Sequence, residues 1–404
     1  MNEILTKADF YFGPRYRKSP FFEATRRAGC KAWGIYNHMY IPNYYDDPIE
    51  EYRSLTEDVT LWDVSVERIV EITGPDASEF TNRLTPRDLT KCAVGQGKYV
   101  LITAEDGGIV NEPVLLRVGE NRWWLALSDS DAGLWARGHS VGCGLDVKVR
   151  EPDIYPVQVQ GPKSIDVMVA LFGDRIAKIR YYWILETDLD GIPVVISRTG
   201  WSAEIGFEIY LRDPSRGDEL WDRIMEAGEP HRIRPIAPSQ IRRIEAGIYR
   251  YGADLTIENN PFEIMGLERL VEDQDADYIG KDALMRIKAE GVSRKLVGVV
   301  LDGDEPVPGC PDIAPVYRDG EQIGRVTVLV WSPRMQKNIG YVWVPIGLAG
   351  PGNALEVTTL DGTAPGKTAA VPFFDPRKSV PSRSLAAGRF LEQLPGGAAT
   401  RNQA

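Results

Sequence analysis

A carboxylate and an aromatic residue in one predicted hairpin are the first candidates for chemistry in this sequence. Residues 197–211, SRTGWSAEIGFEIYL, predict two strands joined by a turn, with Trp201 at the turn and Glu208 on the second strand. Side chains alternate along a strand, so Glu208 and Tyr210 share one face and the apolar residues around them share the other. The polar face either meets solvent or binds a flat heterocycle whose N–H groups donate to the carboxylate.

A second predicted hairpin carries another acid opposite another aromatic residue. Residues 97–118 are typical of two strands that turn at an Asp-Gly-Gly sequence, and Tyr99 and Glu112 lie on the two arms. Upstream, residues 20–68 are rich in Phe, Trp and Tyr, including Trp33 and Tyr36. Packing explains most aromatic clusters, but some of these rings are candidates to line a ligand pocket.

Helices and strands must position these side chains, and their order predicts an α+β fold with mixed sheets. Predicted strands alternate with short helices over most of the first 290 residues. One helix is predicted over residues 238–251, with Arg242, Arg243 and Glu245 on a charged face that meets solvent. From residue 295, short strands separated by Gly, Pro and Asp predict a small barrel that extends to residue 377.

Composition and missing motifs exclude several classes of function. The 404-residue chain has a net charge of −11, which disfavours a general nucleic-acid surface. It shows no signal-peptide pattern and no apolar run of about 18 residues, so we expect a cytoplasmic protein without a membrane partner. Zinc-site, serine-hydrolase and phosphate-loop motifs are absent, and we expect no metal. The inventory suits a protein that holds two reactants together and lets them react.

Several motifs in this sequence resemble those of a known family. The sequence is similar to the tetrahydrofolate-dependent T-protein of the glycine cleavage system and its demethylase relatives, over about residues 50–377. The matching motifs, in order, are GKYVLITAEDGGIVNEPV, VQGP, RTGWSAEIGFEIYL, IRRIEAG, YGAD, DADYIGKDAL and SPRMQKNIGYVWV. The similarity is greatest to the dimethylsulfoniopropionate demethylase branch, which shares the Asn-acid-Pro triplet at residues 111–113. Ser239 stands where the family usually has an arginine.

The resemblance implies an architecture and a set of pocket residues. We expect a ring of three domains with folate in a central hole. Residues 1–294 would form the folate-binding catalytic region as two intertwined α+β subdomains, residues 295–377 a small β-barrel, and residues 378–404 a flexible or surface tail. The expected catalytic residue is Glu112, the expected folate-binding residues are Tyr99, Val114, Trp201 and Glu208, and the expected substrate-binding residues are Trp33, Tyr36 and Tyr210.

The resemblance also implies an activity. We expect transfer of a methyl group from a sulfonium, dimethylsulfoniopropionate, to N5 of tetrahydrofolate as the methyl acceptor. One alternative is folate-dependent aminomethyl transfer or N-demethylation of a methylated amine or betaine. A second alternative is a folate-binding protein without turnover. The expected partner is the small-molecule methyl donor, without nucleic acid, and a homodimer is one expected assembly.

Overall fold

The computed structural model describes residues 12–307 and 314–385. Within them the helices are α1 (Phe22–Arg27), α2 (Pro48–Glu57), α3 (Ala77–Arg83), α4 (Ala132–Ser140), α5 (Ser164–Phe172), α6 (Gly217–Gly228), α7 (Gln240–Glu245) and α8 (Lys281–Glu290). The strands of the first 250 residues are β1 (Ala32–Tyr36), β2 (Met39–Tyr44), β3 (Thr60–Asp63), β4 (Ile69–Thr73), β5 (Gly97–Tyr99), β6 (Ile102–Thr103), β7 (Ile109–Asn111), β8 (Val114–Gly119), β9 (Arg122–Ala126), β10 (Lys148–Arg150), β11 (Tyr155–Gln160), β12 (Ile184–Leu189), β13 (Ile192–Ser197), β14 (Gly206–Leu211) and β15 (Arg234–Pro235). The later strands are β16 (Arg294–Leu301), β17 (Ala314–Arg318), β18 (Glu321–Ser332), β19 (Lys337–Pro345), β20 (Ala354–Thr359) and β21 (Gly362–Ala369).

Two sheets and a barrel organise these elements. One sheet has the strand order β10-β4-β9-β8-β5, and the second has the order β12-β13-β14-β11-β3-β15. All neighbours in these sheets are antiparallel except β15 and β3, which are parallel. The closed barrel has the order β16-β19-β18-β17-β20-β21. The α+β fold with mixed sheets and a C-terminal barrel, expected from the sequence, is therefore confirmed.

The two sheets lie face to face, and each has helices on its outer face. Helices α3 and α4 share a core with the first sheet, and α5 and α6 share a core with the second. Between the sheets, Trp124 of β9 packs near Tyr210 of β14, with ring centroids 6.1 Å apart. The polar face of β14 therefore points at the other sheet and not at solvent, so the solvated-strand interpretation of residues 197–211 is wrong.

Local sequence explains several element boundaries. Pro48 occupies the first turn of α2, and the Asp47 carboxylate accepts hydrogen bonds from the amides of Ile49 and Glu50. Helix α5 ends at Gly173, which adopts φ 77°, a conformation that glycine takes without strain. These residues fix where the chain enters α2 and where it leaves α5.

The helix predicted over residues 238–251 is shorter and more deeply buried than expected. The structure forms only α7, and Arg242, Arg243 and Glu245 are at most 1% exposed. The prediction of a solvated charged face is wrong because the barrel packs against this face, and its partners lie far away in the sequence. Charge alone is a poor guide to exposure when such partners neutralise it.

The segment after the barrel folds back onto the second sheet. Arg198 donates to the backbone carbonyls of Pro381 and Arg383, and Leu385 is buried in the core of that sheet. The first part of the expected tail, residues 378–385, is therefore packed against the protein. Residues 386–404 lie outside the described residues. No helix in the described chain is both long enough and apolar enough to cross a membrane.

Candidate active site

A cavity of about 840 Å³ lies where the two sheets meet the β1–β2 hairpin and the segment after the barrel. Its walls come from β2, β5, the start of β8, the loop between β13 and β14, and residues 246–250 and 371–378. Segments distant in sequence thus converge on one space. A volume of this size suits a drug-sized ligand with room for a second small molecule.

Glu208 is fixed in this cavity by three hydrogen bonds. Its Oε1 accepts from Gln158 Nε2 at 2.8 Å, and its Oε2 accepts from the hydroxyls of Thr199 and Tyr210, both at 2.6 Å. Gln158 is the cross-strand neighbour of Glu208, since β11 pairs with β14 at this position. Burial raises the pKa of Glu208, whereas the three donors act in the opposite direction. The carboxylate is therefore held rigid at the cavity wall.

Glu112 forms a second fixed carboxylate in the same cavity. Tyr99 at the end of β5 donates its hydroxyl to Oε2 at 2.7 Å, and Ser128 after β9 donates to Oε1 at 2.6 Å. The pairing of Tyr99 with Val114 aligns the two arms and brings this tyrosine to the acid. Burial raises the pKa of Glu112 to about 7, although both hydroxyls lower it. Such a group can take up or release a proton near neutral pH.

A third carboxylate, Glu67, lines the cavity and was not expected from the sequence. Its Oε1 accepts a longer hydrogen bond, 3.3 Å, from the same Nε2 of Gln158 that donates to Glu208. Burial raises the pKa of Glu67 well above its usual value, and the negative charges of Glu208 and Glu112 add to the effect. A single glutamate just before a predicted strand gave no signal that it would meet acids more than 40 residues away.

Aromatic rings and basic side chains complete the cavity wall. Tyr36 and Trp201 line it as expected, and so do Tyr181 and Tyr182, which sequence reasoning missed. Tyr182 adopts φ 62°, a conformation that is uncommon for a residue with a side chain. The basic side chains along the wall, also missed, are Arg87, Lys98, Arg250, Arg269, Arg377 and Lys378.

The expected site residues divide into three groups. Six of them line the cavity, namely Tyr36, Tyr99, Glu112, Val114, Trp201 and Glu208. Tyr210 is fully buried behind Glu208 and donates to it, so it supports the carboxylate without facing the cavity. Trp33 packs against Phe12 and Phe22, with ring centroids 5.1 and 5.7 Å away. Trp33 and Tyr36 are three positions apart on β1, so they point to opposite faces of the strand.

The loop that carries Trp201 is fixed by a buried ion-pair network. Glu204 of this loop accepts from Arg242 Nε at 2.7 Å and from Arg334 Nη2 at 3.2 Å. Arg242 belongs to α7, whereas Arg334 lies in the turn between β18 and β19 of the barrel. Arg243 adds a cation–π contact, with its guanidinium 5.6 Å from the Trp201 ring centroid. The barrel therefore helps to hold a wall of the cavity.

Helix α7, which supplies Arg242 and Arg243 to this network, is anchored at both of its ends. The Ser239 side chain caps the helix by accepting from the Arg242 amide at 3.3 Å. At the other end, Glu245 accepts from the hydroxyls of Tyr52 and Ser332, at 2.8 and 2.6 Å. Ser239 thus has a clear structural role as the cap of α7. Among the residues the structure describes, no group of three His, Cys, Asp or Glu side chains is arranged to bind a metal.

Comparison with known proteins gives concordant results along the chain. The family model described as the GCVT N-terminal domain matches residues 21–274, and that of the glycine cleavage T-protein C-terminal barrel domain matches residues 294–375. Dimethylsulfoniopropionate demethylase DmdA of Ruegeria pomeroyi is 36% identical over 89% of this chain and 97% of its own length. An aminomethyltransferase of Symbiobacterium thermophilum is 30% identical over 89% and 97% of the two chains. The crystal structure of glycine cleavage system aminomethyltransferase T from Bartonella henselae has the same fold, with a TM-score of 0.78, 22% identity, and coverage of 88% of this chain and 98% of that one.

Proposed function

Because this chain belongs to the glycine cleavage T-protein family, we propose that it is a tetrahydrofolate-dependent demethylase that takes a methyl group from dimethylsulfoniopropionate. The family resemblance found in the sequence is confirmed. A relative 36% identical over most of both chains is a dimethylsulfoniopropionate demethylase, which supports the choice of donor. The observation that carries the proposal is the arrangement of Glu208 and Glu112, two fixed carboxylates on the wall of one aromatic-lined cavity.

The residues present fit a folate. A pterin is flat and has adjacent N–H donors along one edge, and Glu208 offers such an edge a carboxylate whose orientation is fixed and whose Oε1 accepts only one hydrogen bond within the protein. Trp201 and Tyr182 line the same cavity with aromatic side chains, and Val114 lines it with an apolar one. The basic side chains along the wall suit the carboxylates of a folate tail, with Arg269 and Arg377 among them.

A bound tetrahydrofolate would supply N5 as the methyl acceptor, and the donor sulfur would keep the electron pair of the broken bond and leave as a neutral thioether. The protein's part is alignment and control of one proton. In this proposal Glu112, whose pKa is about 7, accepts the proton that N5 loses. Tyr99 and Ser128 hold the two oxygens of Glu112 in place, so the proton has a defined acceptor.

The donor carries a positive charge at one end and a carboxylate at the other. Aromatic faces attract such a cation by about 0.5–2 kcal/mol each, and Tyr36 and Trp201 supply two in this cavity. Arg250 lies over Tyr36, 5.5 Å from the ring centroid, and offers a positive charge to the donor's carboxylate. We propose that these three side chains form the donor end of the site.

The test is a product assay. The purified protein is incubated with tetrahydrofolate and dimethylsulfoniopropionate, and 5-methyltetrahydrofolate and methylmercaptopropionate are measured. We expect both products in equal amounts. A panel of methylated amines and betaines, and a lipoyl carrier protein already loaded with an aminomethyl group, runs in parallel. Methylenetetrahydrofolate from the last mixture would instead favour aminomethyl transfer, the activity named for several relatives about 30% identical. Folate binding without turnover of any donor would favour a non-catalytic role.

The proposal includes the organisation of the chain. We divide it into a folate-binding catalytic region, residues 1–294, a barrel, residues 295–377, and a terminal segment, residues 378–404. The match to the N-terminal family domain ends at residue 274 and the match to the barrel domain begins at residue 294, which supports the first boundary. The cytoplasmic location and the homodimer expected from the sequence stay predictions.

A further inference from the structure

Glu67 is a cavity carboxylate for which the proposed folate site gives no role. It precedes β4 and lines the same cavity as Glu208 and Glu112. The amide of Gln158 links two of these acids, because its Nε2 donates to Glu67 at 3.3 Å and to Glu208 at 2.8 Å. The carbonyl oxygen of Gln158 accepts from the Trp201 amide at 3.3 Å, which fixes the orientation of the side chain. Glu67 is therefore held beside the carboxylate proposed to bind the pterin.

The three carboxylates differ in how fully they are satisfied. Glu208 accepts three hydrogen bonds and Glu112 accepts two, so both oxygens of each are occupied. Glu67 accepts one long bond on Oε1, and its other oxygen has no hydrogen bond to any part of the chain that the structure describes. In residues 12–307 and 314–385, no basic side chain forms an ion pair with Glu67. Of the three acids, Glu67 has the most acceptor capacity left, because a carboxylate has about four acceptor positions and Glu67 uses one of them.

An unpaired carboxylate beside two others is unfavourable in its ionised form. Burial and the neighbouring charges of Glu208 and Glu112 both disfavour ionisation of Glu67. A cation in the cavity would reverse that balance, since an opposite charge nearby favours the carboxylate. Glu67 shares Nε2 of Gln158 with Glu208 and lines the same cavity as Glu112, so a cation bound in this cavity near Glu208 would also lie near Glu67.

We propose that Glu67 is the counter-charge that selects a positively charged methyl donor over a neutral molecule of the same shape. This inference rests on the proposed demethylase function, in which the donor is a sulfonium. The charge on sulfur disappears when the methyl group leaves, so Glu67 attracts the donor and not the thioether product. Glu67 thus acts as a specificity-determining residue, and its effect falls on donor affinity more than on the rate of the bound complex.

The test compares two ligands that differ only in charge. In 4-methylpentanoate a carbon replaces the sulfur of dimethylsulfoniopropionate, which leaves the shape similar and removes the positive charge. In the wild-type protein we expect a lower KM for dimethylsulfoniopropionate than the Ki for 4-methylpentanoate. In Glu67→Gln the ratio of the two constants, Ki to KM, falls by about tenfold or more. A tenfold loss corresponds to the low end of the coupling energies known for close charge pairs. In the same variant, folate affinity and kcat change by about twofold or less. The control variant Glu226→Gln, on the exposed side of α6, leaves the preference for the charged ligand, the folate affinity and kcat unchanged.

Direct titration gives a second readout that does not need turnover. Both ligands are titrated by calorimetry into the folate-free wild-type protein and into Glu67→Gln. An unchanged preference for the charged ligand in Glu67→Gln overturns the inference, and so does equal weakening of both ligands, which indicates a structural role. A large loss of folate affinity would assign Glu67 to the folate site instead. If the wild-type protein demethylates no sulfonium, the proposed function fails, whereas turnover with an unchanged preference refutes the role of Glu67 alone.

Discussion

Replacing Glu112 by Gln gives a sharp test of the buried acid, because the change alters stability and activity in opposite directions. The pKa of Glu112 is about 7 in the folded protein, against 4.5 for an unperturbed glutamate. The folded state therefore binds more protons than the unfolded state between these two values, and stability falls as pH rises through this window. At pH 8 both states are ionised, and the buried charge destabilises the fold by about 3 kcal/mol.

The variant removes this pH-dependent cost. Relative to the wild type, the unfolding free energy of Glu112→Gln should increase by about 2–3 kcal/mol between pH 5 and pH 8. The amide still offers one acceptor oxygen to Tyr99 or Ser128, so the loss of the other hydrogen bond adds an offset of about 1 kcal/mol that is independent of pH. The expected signature is therefore the slope of the difference with pH and not its absolute value.

The assay is urea unfolding of both proteins at pH 5, 6, 7 and 8, followed by tryptophan fluorescence and by circular dichroism. Agreement of the two probes checks that a single transition is being compared. Glu226→Gln serves as the control, because this glutamate is exposed and its loss should leave the slope unchanged. A difference between Glu112→Gln and wild type that is constant with pH would refute the account of Glu112.

The same variant should lose activity while it gains stability. If Glu112 accepts the proton of N5, the wild-type rate should rise with pH through about 7 and then level, as the acid becomes ionised. Glu112→Gln should lower kcat by about 10²-fold or more and abolish this limb. A variant that keeps the wild-type pH profile would show that another group takes the proton.

Two further predictions concern the support of the site. Arg334→Met should destabilise the protein by about 2–4 kcal/mol in urea unfolding, because it removes a positive charge from the buried carboxylates of Glu204 and Glu245. The control variant Arg318→Met, on an exposed part of the barrel, should destabilise it by less than about 0.5 kcal/mol. Equal effects of these two changes would contradict the buried network. Tyr210→Phe should weaken folate binding about tenfold, measured by fluorescence quenching, because it removes a hydrogen bond to the charged form of Glu208. Tyr317→Phe in the barrel is the matched control, and a comparable loss there would contradict the assignment.

The sequence predicted those parts of the site that depend on local patterns. Alternation along residues 206–211 correctly separated the core face of β14 from the face with Glu208. The turn at residues 106–108 correctly placed Tyr99 and Glu112 on opposite arms, where they form a hydrogen bond. Short-range periodicity and turn residues suffice where the partners are close in the chain.

The remaining features depend on contacts between distant segments. Glu67 meets Glu208 only because β11, β14 and the start of β4 converge on one cavity, and no spacing in the sequence encodes that meeting. Arg242 was expected at the surface because its partner Glu204 lies in another segment. Trp33 was grouped with Tyr36 because both belong to one aromatic stretch, although alternation along β1 separates them. Sequence patterns therefore do not predict which charged residues form pairs when those residues are far apart in the chain.

The contact between Arg334 and Glu204 also constrains the order in which the protein can be completed during synthesis. Domains generally fold as they leave the ribosome, starting from the N-terminus, so both sheets can form before residues 332–334 exist. At that stage Glu204 has Arg242 but not Arg334, and Glu245 has Tyr52 but not Ser332. The loop of Trp201 receives its last supports only when the barrel docks. A chain truncated before the barrel would therefore keep most of the sheets yet lack a finished binding cavity.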